Sequence, residues 1–230
     1  MAIKSILFNT EMVRAILDGR KTCTRRVVKG FIPDDALWGY TAFTPKGHIS
    51  CRGVYADGYG EGFYKLPYQP GDLLYVRETW DCYPEYEDEN APSIYYYKAD
   101  GDLRLEGYRN IGWLSPIHMP KEAARIWLKV TDVRVERLQE ITEDQTEEEG
   151  FLFMPPCLHM TGENYCDIDG PCTSEIKYCD MGAGELFGKV LWNSTIKKSD
   201  LTCYGWDANS WVWVIEFVRC EKPKEVNDND

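Results

Sequence analysis

The stretch Ala124-Arg-Ile-Trp-Leu-Lys-Val-Thr-Asp-Val-Arg-Val-Glu-Arg137 decides the fold class. Ile126, Leu128 and Val130 fall on one face of a period-two pattern, and Val133 and Val135 take it up again after a bend. Alternation sustained for this long is a strand signal. Working outward, Trp211–Arg219 reads as a closing strand. Leu73–Trp80 reads as an earlier one, opened by the turn residues Pro70-Gly71-Asp72. Ile3–Phe8 and the Tyr-rich Ile94–Lys98 are shorter strands, and Arg20–Val28 is a loop or strand dense in positive charge. Strands that succeed one another without crossover helices favour an antiparallel sheet curled into a barrel.

The helices are few. Thr10 is placed to cap a helix running to Asp18, with Met12, Val13, Ile16 and Leu17 on one face and Gly19 as its terminator. Thr142-x-x-Gln145 is a capping-box pattern that opens a short acidic helix ending near Gly150. Glu185–Thr195 is amphipathic, with Leu186, Phe187, Val190 and Leu191 on the apolar side. Residues 30–70 hold many Gly, Pro, Tyr and Asp without a sustained period, and 151–182 are rich in Cys, Gly and Pro. The expectation is therefore one mainly β domain with flanking α-helices over residues 1–221. It is mostly antiparallel, carries insertions at about 30–68 and 151–182, and ends in a flexible polar tail over 222–230.

Composition sets the class. The chain has 230 residues, 38 Asp+Glu against 26 Lys+Arg, and a net charge of −12. At this length a chain buries roughly 70–75% of its unfolded surface, enough for a core without staples. The acidic balance argues against a general DNA coater, which needs a surplus of positive charge. It leaves room for a small basic mouth on an acidic body. Apolar runs such as Trp211–Ile215 are too short to span a bilayer. The opening residues lack the apolar core of a signal peptide, so the expected address is cytoplasmic. Nine cysteines are an odd number, which disfavours a disulfide framework.

Two clusters could carry chemistry. Arg20, Lys21, Arg25 and Arg26 lie within seven residues of an otherwise acidic protein. Such a cluster could hold a phosphate or polarise a carbonyl, and mutual repulsion would make Lys21 a better base. It could equally be a solvated basic turn. Glu143, Asp144, Glu147, Glu148 and Glu149 crowd the short helix, where one carboxyl could keep a proton and act as a general acid. Acidic surface helices are common, and composition does not choose among these five.

At this point motifs accumulate. Leu17-Asp-Gly-Arg-Lys-Thr-x-Thr-Arg-Arg26, Pro70-Gly71-Asp72 with Arg77-Glu78-Thr79-Trp80, Ile141-Thr142-Glu143 through Gly150, and Trp211–Phe217 occur in that order. Together they resemble the ASCH domain, of the PUA-like pseudo-barrel fold. Ser115-Pro-Ile-His118-Met-Pro and Trp206-Asp207-Ala208-Asn209 are similar to larger ASCH proteins of phages and prophages. The likeness leaves out 30–68 and 151–182. It implies a basic cleft for RNA or a modified nucleoside. The smallest bacterial members remove the acetyl group from acetylated cytidine, without a catalytic cofactor. By motif, Lys21 matches their proton acceptor, Thr24 their nucleophile and Glu149 their proton donor.

Around that set, Arg20, Arg25, Arg26, Arg77, Glu78 and His118 are candidate contacts to RNA or substrate. Arg77 and Glu78 point to opposite strand faces, and an ion pair is the competing role for both. His118 could meet a base or simply hold a loop. Cys157, Cys166, Cys172 and Cys179, with His159 nearby, fall within one insertion. Four thiolates would hold a structural zinc with no open position; four unpaired thiols in a variable loop are the alternative. Two rivals to the amidohydrolase stand beside it: a non-catalytic RNA-binding module, and a phage protein whose acidic surface engages a host protein. None of the three involves a membrane.

Overall fold

The computed structural model describes residues 1–84, 93–104, 112–151 and 181–223. Ten strands are described: β1 Ile3–Leu7, β2 Cys23–Val27, β3 Leu37–Gly39, β4 His48–Tyr55, β5 Gly58–Lys65, β6 Leu73–Arg77, β7 Trp80–Pro84, β8 Ser93–Tyr97, β9 Trp127–Arg137 and β10 Trp211–Cys220. Helices α1 Thr10–Leu17, α2 Glu143–Glu148, α3 Ala183–Leu186, α4 Asn193–Thr195 and α5 Leu201–Tyr204 accompany them. The protein is thus mainly β with flanking helices. The strands form three sheets, in the orders β1-β6-β9-β10-β2, β3-β4-β5 and β7-β8. Among the described strands no ring closes.

The chain divides into two compact units, Met1–Thr22 with Tyr68–Val133 and Glu216–Asp230, and Cys23–Pro67 with Arg134–Ile215. In the first, β1 pairs parallel with β6 from Ile3↔Leu73 to Leu7↔Arg77, and β6 runs antiparallel to β9 with Leu74 opposite Leu128. Asp72 fastens the N-terminus, since its carboxylate accepts from Ala2 N at 2.9 Å, Lys4 Nζ at 2.8 Å and Gln69 N at 3.1 Å. Burial pushes this carboxyl up, but the Lys4 ammonium and the two amides outweigh it and hold it below its ordinary value. The α1 cap is Asn9, one residue before the Thr10 that the sequence offered. Asn9 Oδ1 accepts from Met12 N at 2.9 Å. Trp80, Met119, Ala123 and Ala124 form an apolar cluster here, with Tyr75, Tyr95 and Tyr97 against it.

In the second unit, Leu138, Ile141, Phe187, Trp192, Trp206, Val212 and Val214 make the core. The expected helix over Glu185–Thr195 is helical throughout but not uniform: α3 passes into a π-helical Phe187–Trp192 before α4. Residues 30–70, expected as an excursion without period, instead hold the β3-β4-β5 sheet, antiparallel throughout. Trp38 of β3 sets its ring edge-on to Tyr64, Trp211 and Trp213, at centroid distances of 5.2, 5.7 and 6.2 Å.

Candidate functional site

In the first unit the chain leaves α1 through a tight turn. Gly19 adopts φ +77°, which a residue without Cβ takes up readily. Arg20 N and Lys21 N both donate to Ala15 O, at 2.9 and 3.0 Å. That turn carries Lys21 inward: it is only 2% exposed. Its ammonium lies 5.5 Å from the centre of the Phe8 ring, within cation–π range. Arg20 stays half-buried and pairs with Asp18 at 2.9 Å.

In the second unit Cys23, Thr24 and Arg25 of β2 are all buried, Thr24 being 1% exposed. The Thr24 hydroxyl has no hydrogen-bond partner among the described residues. A buried hydroxyl left unbonded is costly, and such groups gather where a ligand or water completes them. Arg25 points to the other face of the strand, with Cys23. Its Nη2 donates to Gln145 Oε1 at 2.8 Å and Glu136 Oε2 at 3.3 Å, and its Nη1 to Glu149 Oε1 at 3.4 Å. Arg25 was a candidate contact to RNA; the structure turns it inward, where two carboxylates neutralise it and the Gln145 amide accepts from it.

Helix α2 explains which carboxylate is special. Thr142 and Gln145 form the expected capping box, with Gln145 N donating to Thr142 Oγ1 at 3.3 Å and Thr142 N to Gln145 Oε1 at 3.1 Å. Gln145 therefore serves both the helix start and Arg25. Glu143, Asp144, Glu147 and Glu148 are exposed, whereas Glu149 is 3% exposed. It occupies the C-cap, and Gly150 at φ +83° turns the chain away behind it. The carboxylate selected by motif is thus the one the fold buries.

The remaining candidates divide. Arg26 is half-buried and donates to Arg25 O at 3.3 Å. Arg77 braces a loop, donating through Nε to Met119 O at 3.0 Å and through Nη2 to Ile117 O. Glu78 takes the ion-pair role: Arg125 Nε and Nη2 meet its two oxygens at 2.9 and 3.0 Å, and Arg125 Nη1 meets Asp100 at 2.6 Å. Burial pushes the Glu78 carboxyl up more strongly than Arg125 pulls it down. Burial likewise pushes Tyr97, whose ring lies 4.0 Å from the Arg125 guanidinium, up to about 12. His118 is exposed at the end of the 3₁₀ turn Pro116–His118.

Sequence reasoning missed Arg125, Glu136 and Gln145 as partners. Only Gln145 carried a signal, through its capping box. Cys157, His159, Cys166, Cys172 and Cys179 lie outside the described residues. Among the described residues no group of three or more His, Cys, Asp or Glu side chains is placed to hold a metal ion. Compared with protein-family models, with curated proteins and with solved structures, the chain matches none.

Proposed function

We propose that this protein is an ASCH-type amidohydrolase that removes the acetyl group from acetylated cytidine. The observation that carries the reading is the buried hydroxyl of Thr24, without a partner among the described residues, at the position that the motif gives to the nucleophile. Lys21 and Glu149, given to base and acid by the same motif, are buried too. Burial of Lys21 and Arg25 favours a small substrate over a polymer backbone, because phosphate-tracking cations stand in solvent. The rival RNA-binding module would use both as surface contacts.

In the proposed reaction Lys21 takes the Thr24 hydroxyl proton as Oγ1 bonds to the acetyl carbonyl carbon. Glu149, the donor that the motif assigns, is held by Arg25 on the other face of β2, so its proton reaches the exocyclic nitrogen through water as the C–N bond breaks and cytidine leaves. A water then gives a proton back to Glu149 as its oxygen attacks the acetyl-threonine ester, and Lys21 returns its proton to Thr24 Oγ1 as that ester bond breaks, so acetic acid leaves and all three groups are restored. Incubating the purified protein with acetylcytidine and following cytidine by chromatography tests this. Turnover by wild type, with a loss of at least about 100-fold in Lys21→Ala and Thr24→Ala, is the expected result. Absence of turnover by wild type would overturn it, and RNA binding that is lost in Lys21→Ala would then favour the module.

A further inference from the structure

The β3-β4-β5 sheet has two unlike faces. Register places Trp38, Cys51 and Gly62 in one inward row and Ile49 with Tyr64 in the next, and Trp38 packs on Trp211 and Trp213. The opposite face holds Val54 beside Tyr59, then Leu37, Arg52 and Glu61 in one row, then Phe63 beside Ser50, which is itself fully buried and donates to Gly39 O, then His48 beside Lys65. Tyr59 is 68% exposed and Phe63 42%, and Leu37 and Val54 are exposed as well. Strand alternation and the inward Trp packing thus leave two aromatic rings and two aliphatic side chains in solvent.

The size of the face limits its occupant. Two strands of eight residues and one of three, side by side at ~4.8 Å with a rise of ~3.4 Å per residue, make a surface of roughly 300 Å². A stable protein interface buries about 800 Å² per partner, so a second copy or a globular partner is poorly served. Charge narrows it further. Arg52 and Lys65 against Glu61 leave this face positive in a chain of net charge −12. Exposed rings interleaved with cations suit splayed bases and their phosphates. Glu61 would repel a phosphate but can accept from a ribose 2′-hydroxyl, which DNA lacks.

We propose that the outward face of β3-β4-β5 is a stacking platform for single-stranded RNA. Tyr59 and Phe63 take the bases, Arg52 and Lys65 the phosphates. The proposal is independent of the hydrolase reading, whose residues lie elsewhere in the chain.

Fluorescence anisotropy with a labelled twelve-nucleotide oligocytidine, and with its deoxy counterpart, tests it on the full chain. The RNA should bind, weakening about sevenfold between 50 and 200 mM salt if two phosphates are neutralised. Tyr59→Ser and Phe63→Ser should each weaken binding about tenfold or more with the melting temperature unchanged. Arg52→Glu should flatten the salt dependence. No binding at 50 mM salt, or unchanged affinity in both aromatic variants, would overturn the platform. Equal affinity for the DNA strand would overturn the assignment to RNA. Concentration-dependent dimerisation abolished by Tyr59→Ser would make the face a protein interface instead.

Discussion

At the residue scale, Glu78 illustrates how burial and pairing compete. The carboxylate is buried and bidentate with Arg125, yet burial dominates and its carboxyl is raised above the ordinary value. A raised carboxyl contributes stability that is present below its unfolded value of about 4.3 and is lost as pH rises through the folded value. Removing the guanidinium should exaggerate this. We expect Arg125→Met to lose about 3–5 kcal/mol at neutral pH, because it strands a buried charge. The loss should shrink below about pH 4.3, where Glu78 is protonated in both states, to what the Asp100 pair and the Tyr97 contact contribute. Urea unfolding at neutral and acidic pH checks it; an equal loss at both would mean that the carboxylate is not its origin. Sequence placed Arg77 and Glu78 on opposite faces of one strand and left each the choice of ion pair or contact. Arg125, 47 residues away, made that choice for Glu78.

At the element scale, local pattern and long-range packing part company at the π-helical Phe187–Trp192. The heptad-like spacing of Leu186, Phe187, Val190 and Leu191 asked for a regular helix. Packing against Trp206 allows the helix to approach only at a glycine. A Cβ on Gly188 would lie 1.9 Å from Trp206 Cε3. Trp206 is held in turn, its backbone N donating to Asn193 Oδ1 at 2.8 Å. Gly188→Ala should therefore destabilise the protein by about 3 kcal/mol. Thermal unfolding with near-ultraviolet circular dichroism would register both the loss and the displaced indole, and an unchanged melting temperature would refute the contact. The β3-β4-β5 sheet was hidden for a related reason. Gly60 and Gly62 of β5 face inward and carry no apolar side chain, so the period of two has nothing to register. Their place is filled by the Tyr55 ring, whose hydroxyl would lie 2.7 Å from a Cβ on Gly62.

At the scale of the whole molecule, the odd cysteine count argued against a disulfide framework, and none of the five described cysteines is in a disulfide. Their exposure ranks them: Cys203 is exposed, Cys82 and Cys220 are intermediate, and Cys23 and Cys51 are buried. Burial also pushes the Cys51 thiol up, which lowers its thiolate fraction. Maleimide labelling of the native protein with peptide mapping should therefore find Cys203 modified first among these five. Cys23 and Cys51 should react only when the chain unfolds. Fast labelling of Cys51 in the native state would mean that the β3-β4-β5 sheet opens locally.

The sequence by itself determined the elements whose signals are local. The long alternation before Arg137, the closing strand from Trp211, the capping box at Thr142 and the glycine turns at Gly19 and Gly150 each depend on side chains a few residues apart. It also placed the basic cluster and the acidic helix, since composition is visible without a fold. Tertiary structure alone decided what those residues do. It buried Glu149 and left its four acidic neighbours in solvent. It turned Arg25 toward Glu136, Gln145 and Glu149, more than a hundred residues along the chain. It gave Glu78 to Arg125 and left the Thr24 hydroxyl without a partner among the described residues. A buried charge is stable only beside the groups that neutralise it, and which groups those are depends on how distant segments pack, a relation that no local period encodes.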